Sequence, residues 1–404
     1  MSNLRHNKPT YTFKPFVFVK CEPNITGGRC LVPKARSGHR IVCDDKNLYS
    51  YGGYNPFTSI NHDPELRNDQ VWLENRPLFK ELWKYNFASK KWKRLLCNGT
   101  IPNELASSAV ISKGRTMMIY GGTGYPFGTK SSNQLHVCNL HEDYKMQLVN
   151  VKGSCPPKQY GQALVLDGIH LYTVGGTTGF NYTADVHRLD LKTCVWEEVY
   201  MCTGKTWKEP QGRYRHELAF DGTRIYLFGG GTAEVVYGFQ EIPAFNLVTG
   251  SWESLVTRCD PEAPAPGIPE SRRCHGCVQV SGSAQQEVAV YICGGYNGTE
   301  MFDDVWRLGL QSLQWTQMKF SLPHAVYFHS VAVTPAGCMY SFGGITGENN
   351  GNRTADVNCA WMCIPKLTEI CWEALLYYNP DLHLLPKDQL LHCGLPLEYV
   401  NRID

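Results

Sequence analysis

The stretch Tyr-Leu-Phe-Gly-Gly at 226–230 decides the fold, because it is an apolar run that ends in two glycines. The first glycines of successive pairs of this kind are separated by 49 to 69 residues. Two glycines at a strand end allow positive φ and a close backbone approach. Self-similarity at about this period is typical of β-propellers. The sequence therefore predicts an all-β, six-bladed propeller with its glycine pairs at Gly52-Gly53, Gly121-Gly122, Gly175-Gly176, Gly229-Gly230, Gly294-Gly295 and Gly343-Gly344.

The rest of each repeat follows the same plan. A third strand such as Val305-Trp306-Arg307-Leu308 comes after the glycines, and a tryptophan follows in a fourth strand. A ring of that size can fill the wedge between neighbouring blades. The second repeat has Met146 near the expected tryptophan, so we expect a degenerate blade there. The four tryptophans are Trp92, Trp196, Trp252 and Trp315.

The sixth repeat has no convincing fourth strand, whereas the N-terminal stretch Phe16–Lys20 is a strand without a blade of its own. Joining the two closes the ring and protects the sheet edges. The repeats resemble the kelch repeat over roughly residues 35–366. We therefore predict a kelch propeller over residues 1–366, with strand 16–20 completing the last blade, and a short α-helical extension over residues 367–404.

Composition excludes several functional classes. The formal net charge of +2 gives no reason to expect nucleic acid or an anionic membrane as a partner. No apolar stretch approaches the ~20 residues that cross a bilayer, and Met1–Thr10 lacks a signal-peptide core. We expect a protein of the cytoplasm or the nucleus. Cys274-His275-Gly276-Cys277 has zinc-like spacing without a second pair, so we expect strand residues there, with no metal and no cofactor.

After the last blade the apolar period becomes helical, in a stripe over Leu367, Ile370, Cys371, Ala374, Leu375 and Tyr378. Asn379-Pro380 ends this helix, and Pro386 and Pro396 can begin two shorter ones. One interpretation is a helix that only packs against the propeller. The other comes from its spacing: Leu367, Cys371 and Leu375 resemble the box by which ubiquitin-ligase substrate receptors bind elongin C.

A second motif follows the first helix. Leu385-Pro386-Lys387-Asp388-Gln389-Leu390 resembles the box that selects cullin-2, although Gln389 stands where an aliphatic residue is usual. Leu395-Pro396-Leu397-Glu398-Tyr399 is an alternative match to the same pattern. The resemblance implies contact of cullin-2 with Leu385, Pro386 and Leu390.

Kelch repeats followed by these boxes resemble the kelch-repeat substrate receptors of cullin-2 ligases, and among them the kelch domain-containing protein 10 family. The match to that family includes Gly-Arg-Tyr-Arg-His at 212–216 and Trp-Glu-Ala-Leu-Leu-Tyr-Tyr at 372–378. The resemblance implies a non-enzymatic adaptor that binds elongin B/C and cullin-2 with its RING subunit. It also implies that the adaptor captures proteins by C-termini ending in glycine or an alanine tail for ubiquitylation and proteasomal degradation.

Candidate ligand contacts lie inside a recurrent Arg-x-x-His frame, as at Arg213 and His216. Because the frame residues recur in several blades, we expect them to be structural, whereas the two residues between them vary from blade to blade. Arginine can grip a terminal carboxylate through two parallel hydrogen bonds, and aromatic rings can wall a pocket. We therefore predict a C-terminus site at the propeller mouth formed by Arg215, Arg273, Tyr160, Tyr214, Tyr327 and Phe328. Receptors of the resembled family place anchoring arginines partly in loops after Gly-Gly.

Two questions stay open at this stage. The insertion 55–81, with Trp72 and Arg76, could form a rim over the mouth or cover the propeller's flank. The main alternative function is a non-catalytic kelch scaffold that promotes stress-activated MAP-kinase signalling or binds cytoskeletal partners. A copper-radical oxidase of kelch fold is disfavoured because the histidines form no clustered ligand pair.

Overall fold

The computed structural model describes residues 9–25, 31–58, 64–281, 287–347 and 351–403. Six sheets of four or five strands follow one another along the described chain and form the predicted six-bladed propeller. No helix in these ranges is long and apolar enough to span a membrane.

Each blade runs from an inner strand at the shaft to an outer strand at the rim, and blades 2 and 3 gain a short parallel fifth strand. Blade 1 consists of β2 (Arg40–Cys43), β3 (Asn47–Tyr51), β4 (Leu82–Asn86) and β5 (Trp92–Leu95). Blade 2 consists of β6 (Asn98–Gly99), β7 (Ala109–Lys113), β8 (Thr116–Tyr120), β9 (Leu135–Asn139) and β10 (Lys145–Leu148). Blade 3 consists of β11 (Lys152–Gly153), β12 (Ala163–Asp167), β13 (His170–Thr177), β14 (Tyr182–Asp190) and β15 (Val195–Tyr200).

Blades 4 and 5 have four strands each, and blade 6 combines strands from both ends of the chain. Blade 4 consists of β16 (Glu217–Phe220), β17 (Arg224–Phe228), β18 (Glu241–Asn246) and β19 (Ser251–Val256), and blade 5 of β20 (Gly276–Val280), β21 (Ala289–Cys293), β22 (Val305–Gly309) and β23 (Trp315–Gln317). Blade 6 consists of β24 (Ser330–Val333), β25 (Cys338–Phe342), β28 (Val357–Trp361) and β1 (Val19–Lys20). A small hairpin of β26 (Ile345–Thr346) and β27 (Asn352–Arg353) lies beside blade 6.

The N-terminal strand closes the ring as predicted, but it is shorter than residues 16–20. Only Val19 and Lys20 pair with β28, opposite Cys359 and Asn358. Phe16 has a φ of 59°, so the chain turns there and joins the sheet three residues later. Its backbone N–H still donates to the Trp361 carbonyl over 3.0 Å. Closure is confirmed, and the predicted start of the strand is corrected.

The apolar core is divided among the interfaces between neighbouring blades. Trp196, Trp252 and Trp315 are almost fully buried and lie in three different clusters, each shared by two blades. Met146 takes the corresponding place in blade 2 and is fully buried against blade 1. The degenerate repeat therefore keeps its packing with a thioether in place of an indole, since methionine adapts to irregular gaps.

The Arg-x-x-His frame is structural, as the repetition predicted. Arg213 donates to the Gly229 carbonyl over 3.0 Å and stacks on Tyr237 at 3.9 Å, and Arg36 and Arg272 make the equivalent contacts in blades 1 and 5. His216 contacts the Val174 carbonyl of the preceding blade through Nε2 over 3.0 Å. Gln162 makes the same kind of contact in blade 3, to the Tyr120 carbonyl over 3.2 Å.

Two short helices in the insertion, α1 (Pro64–Arg67) and α2 (Gln70–Asn75), lie on the flank of the propeller. The Asp69 carboxylate accepts a hydrogen bond from the Trp72 N–H and pairs with Arg94 of the outer strand β5. Trp72 stacks on Phe79 with the ring centroids 4.7 Å apart. The part of the insertion that contains these helices thus covers the outer side of blade 1, whereas Phe57, near the start of the insertion, lies 5.7 Å from the Arg353 guanidinium.

The C-terminal extension consists of α3 (Leu367–Tyr378), a 3-10 turn at Leu382–Leu384, α4 (Lys387–His392) and α5 (Leu397–Val400). These helices share a small core of their own that rests on Ala88 of blade 1; it comprises Trp372, Leu382, Leu390, Tyr399, Val400 and Ile403. Asn86 also donates through Nδ2 to the Arg402 carbonyl over 2.9 Å, which ties the end of the extension to the propeller.

The buried frame histidines predict acid sensitivity. Burial lowers the pKa of His216 and of His329 to about 3, against about 6.5 in an unfolded chain. Below pH 6.5 the unfolded chain binds more protons, so the stability present above that pH is lost as the pH falls. We expect each such histidine to steepen the loss by up to about 1.4 kcal/mol per pH unit. Urea denaturation at several pH values between 7.5 and 5.5 measures this slope of the free energy of unfolding against pH.

A matched pair of variants separates the histidines from other groups. His329→Gln should reduce the slope of unfolding free energy against pH, because Gln162 shows that glutamine fits this position. His392→Gln should leave the slope unchanged, because His392 is exposed. Equal slopes in all three proteins would contradict the prediction.

Candidate binding site at the propeller mouth

The mouth is organised by a closed circle of backbone hydrogen bonds. One residue at the start of each inner strand donates its N–H to the preceding blade's equivalent carbonyl, over 2.7 to 3.1 Å. All six residues have φ between 55° and 68°. We call this set the hydrogen-bonded ring; it comprises Gly38, Ser107, Gly161, Arg215, Cys274 and Phe328.

The loops that follow each Gly-Gly pair lie on the same face as the ring. Isolated bridges join Tyr160 to Thr177, Tyr214 to Gly231 and Tyr327 to Ile345, and each bridge links the start of an inner strand to such a loop. The predicted site residues are therefore brought together at one end of the shaft. We define the mouth as the surface formed by Tyr54, Tyr160, Tyr182, Tyr214, Arg273, Tyr296, Tyr327 and Arg353.

Aromatic rings form most of its wall. Tyr214 has its ring centroid 6.2 Å from that of Tyr160 and 5.6 Å from that of Tyr182. Tyr327 stacks on Tyr296 at 5.0 Å and contacts Phe328 at 5.4 Å. Burial raises the pKa of Tyr214 to about 12, so its phenol stays protonated and can donate a hydrogen bond at neutral pH.

Arg215 lies deeper than the sequence suggested. Its side chain is only 4% exposed, and its guanidinium lies 4.6 Å from the Phe328 ring centroid. One Nη donates to the Ser107 hydroxyl of blade 2, so the side chain reaches across two blades. Burial lowers its pKa to about 10, which leaves it charged at neutral pH. Arg215 therefore forms part of the floor of the mouth.

An ion pair crosses the shaft beyond this floor. Arg40 of blade 1 bonds to Glu217 of blade 4 over 2.7 Å and to the Ser108 carbonyl of blade 2 over 3.2 Å. Both partners are largely buried, and a paired charge is the form in which arginine is tolerated there. The shaft is thus occupied by side chains just beyond the floor of the mouth.

Two arginines remain at the wall of the mouth. Arg273 is half-buried and donates to the Thr232 carbonyl. Arg353, which the sequence analysis did not select, donates through Nε to the Ser37 hydroxyl over 2.9 Å and to the Tyr54 carbonyl over 3.1 Å. Burial lowers the pKa of Arg353. Within the described residues, the hydrogen-bond acceptors found for both guanidiniums are neutral oxygens, and a guanidinium of this kind can bind an anion.

The signal for Arg353 was present in the sequence. It follows Gly343-Gly344 in a loop, the place where the resembled receptors put some of their arginines. Tyr54 and Tyr296 also follow glycine pairs, at positions one residue after Gly53 and Gly295.

The predicted tail residues divide into exposed and buried groups. Leu367 is 72% exposed and Cys371 is exposed, whereas Leu375 is half-buried on the side of the helical core. In the second motif, Leu385 and Pro386 are exposed and Leu390 is fully buried. Leu390 therefore holds the helices of the extension together.

Comparison with known proteins gives the same class of molecule. A family model described as the KLHDC2/KLHL20/DRC7 kelch-repeats domain matches residues 18–230, 71–283 and 206–374. The chain is thus a kelch-repeat β-propeller protein, a fold typical of non-catalytic binding and adaptor proteins.

Curated relatives narrow the class to a family. Kelch domain-containing protein 10 of Rattus norvegicus is 42% identical over 96% of this chain and 90% of its own length. The Xenopus laevis protein of that name is 43% identical over 92% of this chain and 86% of its own length. The Drosophila melanogaster homolog is 40% identical over 100% of this chain and 67% of its own length. Kelch domain-containing protein 2 of Bos taurus is 24% identical. The chain belongs to the kelch domain-containing protein 10 family.

The two predicted arginines should respond differently to truncation. Arg215→Ala removes a buried side chain with a ring contact and a hydrogen bond, so we expect a loss of about 2–4 kcal/mol in the free energy of unfolding. Arg273→Ala, at a half-buried position, should cost less than about 1 kcal/mol. Urea denaturation measures both. Equal, small losses would contradict the placement of Arg215 in the floor.

Proposed function

We propose that the chain is the substrate-recognition subunit of a cullin-2/elongin B/C ubiquitin ligase that binds protein C-termini at the mouth. The observation that carries the proposal is the orientation of α3. Its side chain Leu367 is 72% exposed, with Cys371 exposed one turn later, although the helix itself is firmly attached to the propeller.

The attachment uses other faces of the helix. Glu373 accepts hydrogen bonds from Trp361 of blade 6 over 2.8 Å and from the Tyr11 hydroxyl over 2.7 Å. Glu369 pairs with Arg402 over 2.7 Å, next to buried Trp372. A helix that is already ordered loses little entropy when a partner binds it.

Such a helix suits a groove in a partner protein. In this mode of recognition an amphipathic helix inserts apolar side chains from one face into the groove, and Leu367 and Cys371 are exposed at i and i+4. Leu367 would be the main anchor, and the small Cys371 would allow close approach. Burying a leucine side chain contributes about 1.5–3 kcal/mol. Leu385 and Pro386, which are exposed, would contact cullin-2, while Leu390 supports them from within the extension.

The mouth has the chemistry that a peptide C-terminus requires. A terminal carboxylate can accept hydrogen bonds from Arg273 and Arg353, and a partly dry site strengthens these bonds. The side chains of Tyr160, Tyr214 and Tyr327 would hold the preceding residues by apolar contact and phenol hydrogen bonds. Close aromatic walls favour a small last residue, such as glycine or alanine, because a larger one would clash.

Elongin binding tests the first half of the proposal. Leu367→Ala should weaken binding of purified elongin B/C about 10- to 100-fold, since 1.4 kcal/mol corresponds to a factor of ten. Biolayer interferometry measures this affinity. Val248→Ala, which shortens an 82% exposed aliphatic side chain on blade 4, is the matched control and should bind normally. Absence of binding by the unaltered protein would favour the scaffold function instead.

Peptide binding tests the second half. A fluorescent peptide ending in glycine or in several alanines should bind with a free C-terminus and lose at least about tenfold in affinity when amidated, because the carboxylate contacts disappear. Arg273→Gln and Arg353→Gln should each weaken binding of the free acid by about the same factor. Fluorescence anisotropy measures the dissociation constants.

The control for this experiment is Arg188→Gln, which removes an arginine from β14, paired with Glu197 of the same blade. It should leave peptide affinity unchanged. Equal binding of the free acid and the amide would contradict recognition of a C-terminus.

A further inference from the structure

Three cysteine sulfurs lie side by side where the propeller ring closes. Cys21 follows β1, Cys359 lies in β28 and Cys338 in β25, so the three residues belong to three neighbouring chain segments of blade 6. The Cys21 Sγ is 3.3 Å from the Cys359 Sγ. Cys338 lies diagonally across the pairing of β25 with β28 from Cys359, because its partner is Trp361 and that of Cys359 is Tyr340.

The pairing of β1 with β28, which closes the propeller ring, is short. The strand β1 has two residues, Val19 and Lys20, and both are exposed. Outside this pairing, Cys21 donates its N–H to the Val357 carbonyl over 2.8 Å. A two-residue strand leaves few bonds to resist opening, so a covalent link here would add much to the closure.

Cys21 and Cys359 can be reached by a small reagent, whereas Cys338 is buried. All three cysteines line a cavity of about 1230 Å³ between blades 6 and 1 and the C-terminal extension. Cys21 and Cys359 are each partly exposed. Hydrogen bonds from Cys21 and Cys338 hold the pKa of the Cys359 thiol well below its usual range, and the Lys90 charge acts in the same direction.

We propose that Cys21 and Cys359 form a peroxide-sensitive latch that fastens the N-terminal strand to the last blade. The Cys359 thiolate attacks one oxygen of a hydroperoxide, the O–O bond breaks, and the products are a Cys359 sulfenic acid and water or an alcohol. The Cys21 sulfur then attacks the sulfenic sulfur, and the second oxygen leaves as water. Two thiols are oxidised by two electrons, and one hydroperoxide is reduced.

The effect of oxidation depends on whether Cys359 bonds to Cys338 or to Cys21. A bond between Cys338 and Cys359 would link β25 to β28, which already pair over five residues of each strand. A bond between Cys21 and Cys359 instead joins the two ends of the propeller chain. It encloses nearly the whole propeller in one loop, and the stabilisation by a disulfide grows with loop length in the chain-entropy model.

The latch would also steady the helical extension. The segment before β1 contacts α3, because Tyr11 donates its N–H to the Tyr378 hydroxyl over 2.8 Å and its hydroxyl to Glu373 over 2.7 Å. The carbonyl of Pro9 accepts a hydrogen bond from Tyr377 over 3.1 Å. Fastening Cys21 therefore restricts the segment that braces this helix.

The test treats the full-length, reduced protein with hydrogen peroxide and maps its disulfides by mass spectrometry of non-reduced peptides. We expect a Cys21–Cys359 cross-link and a rise in Tm of at least about 2 °C that dithiothreitol reverses. Cys21→Ser should abolish the cross-link and the rise. Cys155→Ser, at an exposed cysteine of blade 3, is the matched control and should keep both.

Three outcomes would overturn the proposal. In the first, Cys21 and Cys359 stay reduced while the exposed Cys155 is oxidised. In the second, the cross-link joins Cys338 to Cys359. In the third, the Cys21–Cys359 cross-link forms but Tm does not rise. Serine is nearly isosteric with cysteine, so we expect Cys21→Ser to fold, and its Tm before oxidation checks this. Cys21→Ala provides a second variant without the Cys21 sulfur.

Discussion

Six backbone hydrogen bonds around the shaft hold the inner strands of this propeller in a closed circle, and the geometry of the mouth depends on them. Each bond requires its residue to adopt a positive φ, a conformation that costs free energy for any residue other than glycine. Four of the six positions nevertheless carry a side chain: Ser107, Arg215, Cys274 and Phe328. These side chains occupy the centre of the shaft, where Arg215 connects Ser107 with Phe328.

The repeat architecture was predictable because it follows from local signals. Glycine pairs, buried tryptophans and helix-ending prolines act within a few residues of themselves, so the blades and the three tail helices were found from sequence. The hydrogen-bonded ring was not, since a positive φ at Arg215 or Phe328 depends on neighbouring blades that are more than 50 residues away along the chain. For the same reason, the variation between the frame residues predicts a ligand contact at Arg215 but not its depth, which depends on Ser107 and Phe328 of other blades.

The tail illustrates the same limit of sequence analysis. A helical apolar stripe is compatible with packing on the propeller or with binding to another protein, and spacing alone cannot separate the two. The structure does so for individual side chains: Trp372 and Leu390 are buried in the extension, whereas Leu367 is exposed. Together with a mouth in which two arginines donate hydrogen bonds to neutral oxygens of the described residues, this arrangement suits an adaptor that carries its ligand at one face and its partner near the other.

The central claim is that capture of a C-terminus at the mouth leads to ubiquitin transfer through the extension. The most direct measurement is reconstituted ubiquitylation, with elongin B/C, cullin-2 and its RING subunit, of a reporter that ends in an alanine tail. We expect rapid modification of this reporter and little modification of the same reporter when its C-terminal carboxylate is amidated. Equal modification of the two, or none of either in a complex that assembles, would contradict it.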